Sequence, residues 1–195
     1  MKNIEKYYDK TKSDKPRNNV EQFIKQIKYN PGKATELGCG AGNDTVYLIK
    51  KGWNVLAIDK ENVKERITSR LNKDEKEKFR FQQQNFENIK LERSNLIIAN
   101  NCLSFCNKNK FKELWNKIKE NISEEGYFIG NFFGIKDSWK ETKTDMTFFI
   151  KEEIKELFKD FEIIQYKEIE KDALTGLGKM KHWHIFDVTA RKRKE

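Results

Sequence analysis

Cysteine, histidine and proline are scarce in this sequence, and each scarcity excludes a class of protein. Three cysteines among 195 residues make a poor disulfide framework, so we expect a chain from a reducing compartment, the cytoplasm. Two histidines and the absence of a Cys-x-x-Cys pair disfavour a zinc site, and no metal is expected. Two prolines and ten glycines exclude fibrous and low-complexity chains.

Long apolar runs are also missing from the sequence. Runs such as Leu96-Ile97-Ile98-Ala99 are far shorter than the ~20 residues that a membrane-spanning helix requires. The first ten residues, MKNIEKYYDK, contain no apolar segment of the kind found in signal peptides. We therefore predict neither secretion nor a membrane partner.

The net charge of +9, from 40 Lys and Arg against 31 Asp and Glu, raises the question of a nucleic-acid partner. Lysines alternate with acidic residues over much of the chain, as in Lys73-Asp74-Glu75-Lys76, which is typical of a solvated face. Only Arg191-Lys192-Arg193-Lys194 concentrates positive charge. Nucleic acid is therefore kept as an alternative partner but is not favoured, because such runs mostly serve solubility.

Apolar spacing predicts alternating strands and helices along the chain. Strands are expected at residues 33–37, 53–58, 79–84, 95–100, 126–132, 161–169 and 182–190. Helices are expected at residues 19–29, after the loop at 38–42, from the second strand to about residue 72, around residues 111–118 and at 151–159. Asn43 or Asp44 is predicted to cap the second helix, and Gly52 to end it in a left-handed conformation.

This order of elements predicts one α/β domain over residues 1–195, with an N-terminal arm and helix at 1–30 and a core at 31–195. Alternating strands and helices indicate a doubly wound, mostly parallel sheet with helices on both faces. Because no helix separates the last two of the seven strands, the last strand is expected to run antiparallel. Ligands of such folds bind where strands end, so the residues directly after the strands are the candidates for a site.

The loop after the first strand has the features of a nucleoside site. The glycines of Gly38-Cys39-Gly40-Ala41-Gly42 allow a sharp turn and the close approach of a ligand. A dinucleotide fingerprint would need a further glycine where Asn43 stands. Glu36 would repel a phosphate but suits a cationic amino group, and Asp59, at the end of the second strand, is placed to accept both hydroxyls of a ribose.

The motif from Glu36 to Gly42, together with Asp59, resembles the class I S-adenosylmethionine-dependent methyltransferases, and the resemblance covers nearly the whole chain. It implies a Rossmann-like methyltransferase fold, transferase activity and S-adenosylmethionine as the cofactor. It also implies cofactor contacts after the third and fourth strands. The residues implied are Glu36, Gly38, Cys39, Gly40, Gly42, Asp59, Asn85, Phe86 and Asn100, with Asn85 at a position where the family usually has an Asp that binds the adenine amino group.

Outside this core, residues 132–139 and Lys181-His182-Trp183-His184 resemble small bacterial methyltransferases of the tellurite-resistance and thiopurine types. Likeness to a family identifies the cofactor better than the acceptor, because acceptor specificity depends on variable loops. We expect methyl transfer to a small-molecule acceptor by in-line displacement, since the chain is nearly all core fold. An RNA methyltransferase and a non-catalytic cofactor-binding module are the alternatives, and the sequence indicates no oligomeric state.

Four residues have a functional and a structural interpretation. His182, near the expected binding edge, is a tentative general base, whereas His184 on the same face of its strand is expected to be a core histidine. Cys102 and Cys106 lie after the fourth strand, where they form either a thiol site for a soft metalloid or, as we favour, buried inert thiols. The loop Asn100-Asn101-Cys102-Leu103 has no proline, which argues against methylation of base amino groups.

Two further groups of residues are left with two interpretations. The arm containing Tyr7 and Tyr8 either closes over the cofactor, with Arg17 pairing the cofactor carboxylate, or is a disordered terminus. Four aromatic residues near the strand ends either wall an apolar acceptor pocket or belong to the core: Phe132, Phe133, Trp139 and Trp183.

Overall fold

The computed structural model describes residues 2–26 and 30–194, and a seven-stranded sheet lies at its centre. The strands are β1 Lys33–Leu37, β2 Asn54–Asp59, β3 Phe79–Gln83, β4 Ser94–Ala99, β5 Ile122–Phe133, β6 Phe161–Leu174 and β7 Met180–Lys192. Their order in the sheet is β3-β2-β1-β4-β5-β7-β6. Strands β1 to β5 pair in parallel, whereas β7 is antiparallel to β5 and β6. The predicted sheet with an antiparallel last strand is confirmed.

Helices cover both faces of this sheet. They are α1 Lys2–Thr11, α2 Asn18–Gln26, α3 Asn43–Lys50, α4 Lys64–Thr68, α5 Lys73–Glu77, α6 Lys108–Asn121, α7 Trp139–Thr142 and α8 Lys151–Leu157. Residues of α1 to α4 belong to one apolar cluster with the sheet, and residues of α6 and α8 belong to the other. Within the described residues, every helix is too short or too polar to cross a membrane.

Strand β4 shows why the sheet is sandwiched in this way. Its run Leu96-Ile97-Ile98-Ala99 is fully buried. Leu96 and Ile98 pack into the α1–α4 cluster, while Ile97 and Ala99 pack into the α6–α8 cluster. Successive side chains of a strand point to opposite faces, so an unbroken apolar run requires apolar partners on both sides.

Helix α6 covers the second face with the predicted apolar stripe. Phe111, Leu114, Trp115 and Ile118 are buried, and they follow the spacing of three and four residues that places side chains on one helix face. The indole nitrogen of Trp115 donates to the Leu157 carbonyl of α8 at 3.1 Å. That hydrogen bond satisfies the buried polar atom of an otherwise apolar side chain.

Two predictions about helix ends were wrong. Gly42, not Asn43 or Asp44, is the N-cap of α3, with a φ of 77° and no side-chain cap bond. The charged helix predicted to reach about residue 72 ends at Thr68 as α4, and α5, which was not predicted, follows Asn72, whose side chain forms a capping box with Glu75. The predicted left-handed Gly52 after α3 is confirmed, with a φ of 94°.

The N-terminal part of the chain is more ordered than a polar arm. It contains helix α1, whose Tyr8 is only 4% exposed. Helix α2 begins at Asn18, and residues 27–29 of the helix predicted at 19–29 lie outside the described residues. Strands β6 and β7 extend beyond their predicted ends and form a long hairpin whose tip lies between Leu174 and Met180.

Candidate functional site

The glycine loop, residues 38–42, joins β1 to α3 through three left-handed backbone positions. Gly38, Gly40 and Gly42 have φ values of 63°, 53° and 77°, a region that side-chain-bearing residues rarely adopt. A β-carbon on Gly38 would lie 2.4 Å from Cβ of Cys102, and one on Gly42 would lie 2.3 Å from Cγ1 of Ile67. The backbone conformation and the close packing therefore both require glycine at these two positions.

Asp59 ends β2 beside this loop, with 5% of its surface exposed. Its Oδ2 accepts from the Gly40 backbone N–H at 2.8 Å, and its Oδ1 accepts from the Glu61 N–H at 3.0 Å. The Tyr8 hydroxyl also donates to Oδ1, at 3.2 Å. The carboxylate is thus held rigidly against the glycine loop, and helix α1 covers it.

Glu36, in β1, is the second buried carboxylate of the site. The Thr45 hydroxyl donates a short hydrogen bond to its Oε2. Burial, together with the negative charges of Asp44 and Asp59, raises the pKa of Glu36 well above its ordinary value. The two carboxylates predicted to flank the loop are therefore close enough to interact, and a cation between them would relieve their repulsion.

Asp44, at the start of α3, brings together two other predicted residues. Its Oδ1 accepts from the Arg17 backbone N–H at 2.6 Å, and its Oδ2 accepts from the Asn100 side chain at 3.3 Å. When the side-chain amide of Asn101 is turned so that its oxygen faces Arg17, that oxygen accepts from the Arg17 guanidinium at 3.1 and 3.2 Å. Burial raises the pKa of Asp44, against the opposing effect of these donors.

Sequence reasoning missed three polar residues that complete this network. Asn19 donates to Oδ1 of Asn100 and to Oδ1 of Asp187, both at 2.8 Å. Asn131 donates to Asn100 at 3.4 Å and accepts from the Asn101 backbone N–H at 2.8 Å. Asn131 and Asp187 interrupt apolar strands, a signal that could have identified them, whereas Asn19 carries no comparable signal.

Asn85 and Phe86 follow β3 at the same sheet edge. The Gln84 backbone N–H donates to the Asp59 carbonyl at 2.9 Å, so the chain leaves β3 directly beside the end of β2. Asn85 is exposed and precedes a 3₁₀ turn at Phe86–Asn88, while Phe86 is half-buried against the α6–α8 cluster. The predicted adenine contacts of both residues stay predictions.

The two histidines lie on the same face of β7 but have different surroundings. Nδ1 of His182 is 2.8 Å from Asp172 Oδ1, and its Nε2 is 3.5 Å from Glu170. These β6 carboxylates raise the pKa of His182, which favours a retained proton rather than action as a base. His184 is buried, accepts from the Lys136 N–H at 3.2 Å and lies 3.1 Å from Glu168, as predicted for a core histidine.

The cysteines are buried, in agreement with the favoured interpretation of Cys102 and Cys106 as inert thiols. Cys39, Cys102 and Cys106 are free and buried. The Cys102 thiol donates to the Leu37 carbonyl at 3.1 Å. Burial raises the pKa of the Cys39 and Cys102 thiols well above the ordinary value, and that of Cys106 to about 11. All three therefore hold their protons and are poor nucleophiles.

A family model for the tellurite resistance protein TehB matches residues 1–176. The chain belongs to the TehB family. A search of curated proteins found no match, so the TehB assignment rests on the family model.

Solved structures share the fold of this TehB-family chain at low identity. TehB from Haemophilus influenzae is 23% identical with a TM-score of 0.72, over 91% of this chain and 62% of that chain. The 1,6-didemethyltoxoflavin-N1-methyltransferase from Burkholderia thailandensis is 18% identical with a TM-score of 0.69, over 91% and 78%. The N-methyltransferase NodS from Bradyrhizobium japonicum is 13% identical with a TM-score of 0.69, over 99% and 98%. This chain therefore spans less than two thirds of the length of the Haemophilus protein.

Proposed function

We propose that this chain transfers a methyl group from S-adenosylmethionine to a small-molecule acceptor by in-line displacement. The observation that carries the proposal is the pair of buried carboxylates, Glu36 and Asp59, beside a glycine loop with left-handed φ values. The toxoflavin methyltransferase and NodS structures contain S-adenosylhomocysteine, and the former also contains its small-molecule substrate. Membership of the TehB family supports the same activity.

The residues present suit a cationic nucleoside. Both carboxylate oxygens of Asp59 lie beside the loop and would accept hydrogen bonds from the ribose hydroxyls. At Oδ1, a ribose hydroxyl would replace the Tyr8 hydroxyl as the donor. Glu36 would face the amino group of the cofactor, and the Arg17 guanidinium, held near Asn101, would pair with the carboxylate. Asn85 and Phe86 would contact the adenine, since an amide oxygen also accepts from an amino group.

Methyl transfer from a sulfonium would require few catalytic groups from the protein. The cofactor, when bound, supplies a methyl carbon that its sulfonium has already made electrophilic. The buried acidic groups of the site favour a cation there, and helix α1 over Asp59 would keep water away from the reacting atoms. The remaining task of the protein is to align an acceptor lone pair with the methyl–sulfur bond. A readily deprotonated acceptor needs no general base, so the role of His182 stays a prediction.

Substitution of Asp59 tests the proposal. In Asp59→Ala the ribose would lose two hydrogen bonds to a carboxylate, so we expect S-adenosylhomocysteine to bind at least about a hundredfold more weakly. Isothermal titration calorimetry measures this, with Asp74→Ala as the control because Asp74 is an exposed acid on α5. Unaltered affinity in Asp59→Ala would overturn the assignment. Release of S-adenosylhomocysteine with any acceptor would exclude the non-catalytic module.

A further inference from the structure

Two amide side chains, those of Asn19 and Asn100, form a reciprocal pair at the start of α2. Nδ2 of Asn19 donates to Oδ1 of Asn100 at 2.8 Å, and Nδ2 of Asn100 donates to Oδ1 of Asn19 at 3.2 Å. Each nitrogen also donates to a carboxylate. The acceptor for Asn19 is Oδ1 of Asp187 at 2.8 Å, and the acceptor for Asn100 is Oδ2 of Asp44 at 3.3 Å. We call these four residues the amide bridge, because they join α2, α3, β7 and the end of β4.

The carboxylates at the two ends of the amide bridge fix the orientation of both amides. An ionised carboxylate only accepts hydrogen bonds, so turning over either amide would place its oxygen against an oxygen of Asp187 or Asp44. The oxygen of Asn100 also accepts from Nδ2 of Asn131 at 3.4 Å. The Asn100 side chain thus has protein partners for its nitrogen and its oxygen, and the cofactor contact predicted for Asn100 would have to come from its backbone.

Asp187 is the half-buried end of the amide bridge. In the sheet it lies between Asn131 of β5 and Lys167 of β6, which are its register partners. Burial raises the pKa of Asp187, while the Asn19 donor and the charge of Lys167 oppose that shift. A carboxylate in this setting is costly unless it is hydrogen-bonded, so the bond from Asn19 stabilises Asp187 and at the same time holds α2 against β7.

Arg17 lies where the chain enters α2, two residues before Asn19. Its backbone N–H donates to Oδ1 of Asp44 at 2.6 Å, and Asp44 is itself part of the amide bridge. The segment from Arg17 to Asn19 is therefore held at both ends. The Arg17 side chain is exposed, and its guanidinium lies 3.1 and 3.2 Å from the side-chain amide of Asn101. The amide bridge thus determines the backbone position from which this guanidinium extends.

We propose that Asn19 and Asp187 are positioning residues for Arg17, and that through Arg17 they control recognition of the amino-acid end of S-adenosylmethionine but not of its nucleoside end. The inference rests on the proposed function, in which Arg17 pairs with the cofactor carboxylate. A guanidinium on a held backbone loses less conformational freedom on binding than one on a loose segment. The hydrogen bonds to the Asp59 carboxylate, by contrast, come from α1, the glycine loop and the residues after β2.

Two ligands with the same nucleoside separate these two ends. S-adenosylhomocysteine carries the amino-acid end, whereas 5′-methylthioadenosine has the adenosine and the sulfur but lacks the amino and carboxylate groups. In isothermal titration calorimetry, Asp187→Ala is expected to weaken binding of S-adenosylhomocysteine about tenfold, and that of 5′-methylthioadenosine by no more than about twofold. Asp187→Asn keeps an oxygen that accepts from Asn19, so we expect it to retain most of the affinity. Glu162→Ala, at an exposed carboxylate of β6, is the matched control and is expected to stay within about twofold for both ligands.

A double variant tests whether the effect of Asp187 passes through Arg17. Arg17→Ala alone is expected to weaken binding of S-adenosylhomocysteine. In that background, Asp187→Ala is expected to weaken binding further by no more than about twofold, because the guanidinium that the bridge positions is already absent. A further tenfold loss would show that Asp187 acts independently of Arg17 and would overturn the inference.

The possible results separate this inference from the proposed function. Wild-type protein that does not bind S-adenosylhomocysteine would contradict both proposals. If the wild-type protein binds it, unaltered affinity in Asp187→Ala, or an equal loss for both ligands, would overturn the positioning role alone. Should far-ultraviolet circular dichroism show that Asp187→Ala does not fold, Asn19→Ser provides the same comparison with the same expected results, because it removes the other half of the bond and keeps a small polar side chain in α2.

Discussion

Glu36 is a buried acid with acidic neighbours, and this setting controls how it ionises. Burial and the nearby charges of Asp44 and Asp59 raise its pKa, so the free protein holds a proton on Glu36 at a higher pH than an exposed glutamate would. An ammonium group beside Glu36 would have the opposite effect and lower the pKa. With the amino group of the cofactor at Glu36, as proposed above, binding would be coupled to loss of this proton.

We predict that the affinity for S-adenosylhomocysteine rises with pH until the pH exceeds the pKa of Glu36 in the free protein, and then levels off. The reason is that binding releases the Glu36 proton below that pKa and releases none above it. Calorimetry in two buffers of different ionisation enthalpy measures the protons released. The release is expected to disappear in Glu36→Gln, and an equal release in that variant would contradict the role of Glu36.

A second prediction concerns the buried ion pair between Lys181 and Asp137. Asp137 accepts from Lys181 and, at 3.0 Å, from the Trp139 N–H, so Asp137→Asn leaves a buried ammonium without its counter-charge. The free energy of unfolding in urea is expected to fall by about 3–5 kcal/mol. The double variant Asp137→Asn with Lys181→Met is expected to recover much of that loss. Equal stability of the single and double variants would contradict a buried, charged pair.

Among the elements, helix α1 has the most direct effect on the site. Arg66 of α4 pairs with Glu5 at 2.5 Å and with Asp9 at 2.6 Å, which attaches α1 on one side. On the other side, Tyr7 packs so closely on Gly176 that a β-carbon there would lie 2.4 Å from its ring. Tyr8, between them, bonds to Asp59. Helix α1 is therefore attached to α4 on one side and to the β6–β7 turn on the other, and between these attachments it covers the Asp59 carboxylate.

We predict that loss of the Arg66 pairs speeds the release of S-adenosylhomocysteine. Exposed ion pairs contribute about 0.2–1 kcal/mol each, so loss of both pairs in Arg66→Gln should increase the dissociation rate by roughly two- to thirtyfold in a stopped-flow displacement experiment. Arg80→Gln is the control, because Arg80 pairs with Glu92 at 2.5 Å away from α1. Equal rates in the two variants would show that α1 does not limit release.

The prediction of strands and helices succeeded where residues close together in the sequence form the apolar pattern. The apolar run of β4 and the stripe of α6 are local patterns, and both elements formed as expected. The predicted cap at Asn43 or Asp44 failed because Asp44 binds the Arg17 N–H instead, a contact between residues 27 positions apart. The ordering of α1 could not be predicted for the same reason, since it depends on Asp59 and Arg66.

At the scale of the whole molecule, the positive charge is dispersed, and the basic run is partly used within the fold. Arg191 pairs with Glu125 and lies 3.8 Å from Glu162. Lys192 donates to the carbonyls of Lys119 and Ile122 at 2.9 and 3.2 Å. Two of the four charges that an RNA methyltransferase, the alternative left by the sequence, would use therefore have partners in the protein.

We accordingly predict that single-stranded RNA binds only in the non-specific range, with a Kd of about 10⁻⁴ to 10⁻⁶ M at physiological salt. Fluorescence anisotropy at several salt concentrations measures the affinity and its salt slope. In the variant Arg193→Gln with Lys194→Gln, the slope is expected to fall by no more than about 1.4, or 0.7 for each charge. Nanomolar binding that this variant abolishes would favour the RNA methyltransferase instead.

The sequence alone determined the order of the strands, the glycine loop and the acids at the ends of β1 and β2. These features depend on apolar spacing and on glycine conformations, which residues close in the chain specify. Only the tertiary structure decided which distant groups meet there. Asn19 joins Asp187 across 168 positions, Tyr8 reaches Asp59 across 51, and Phe105 meets Trp139, because such contacts depend on how elements pack rather than on local sequence.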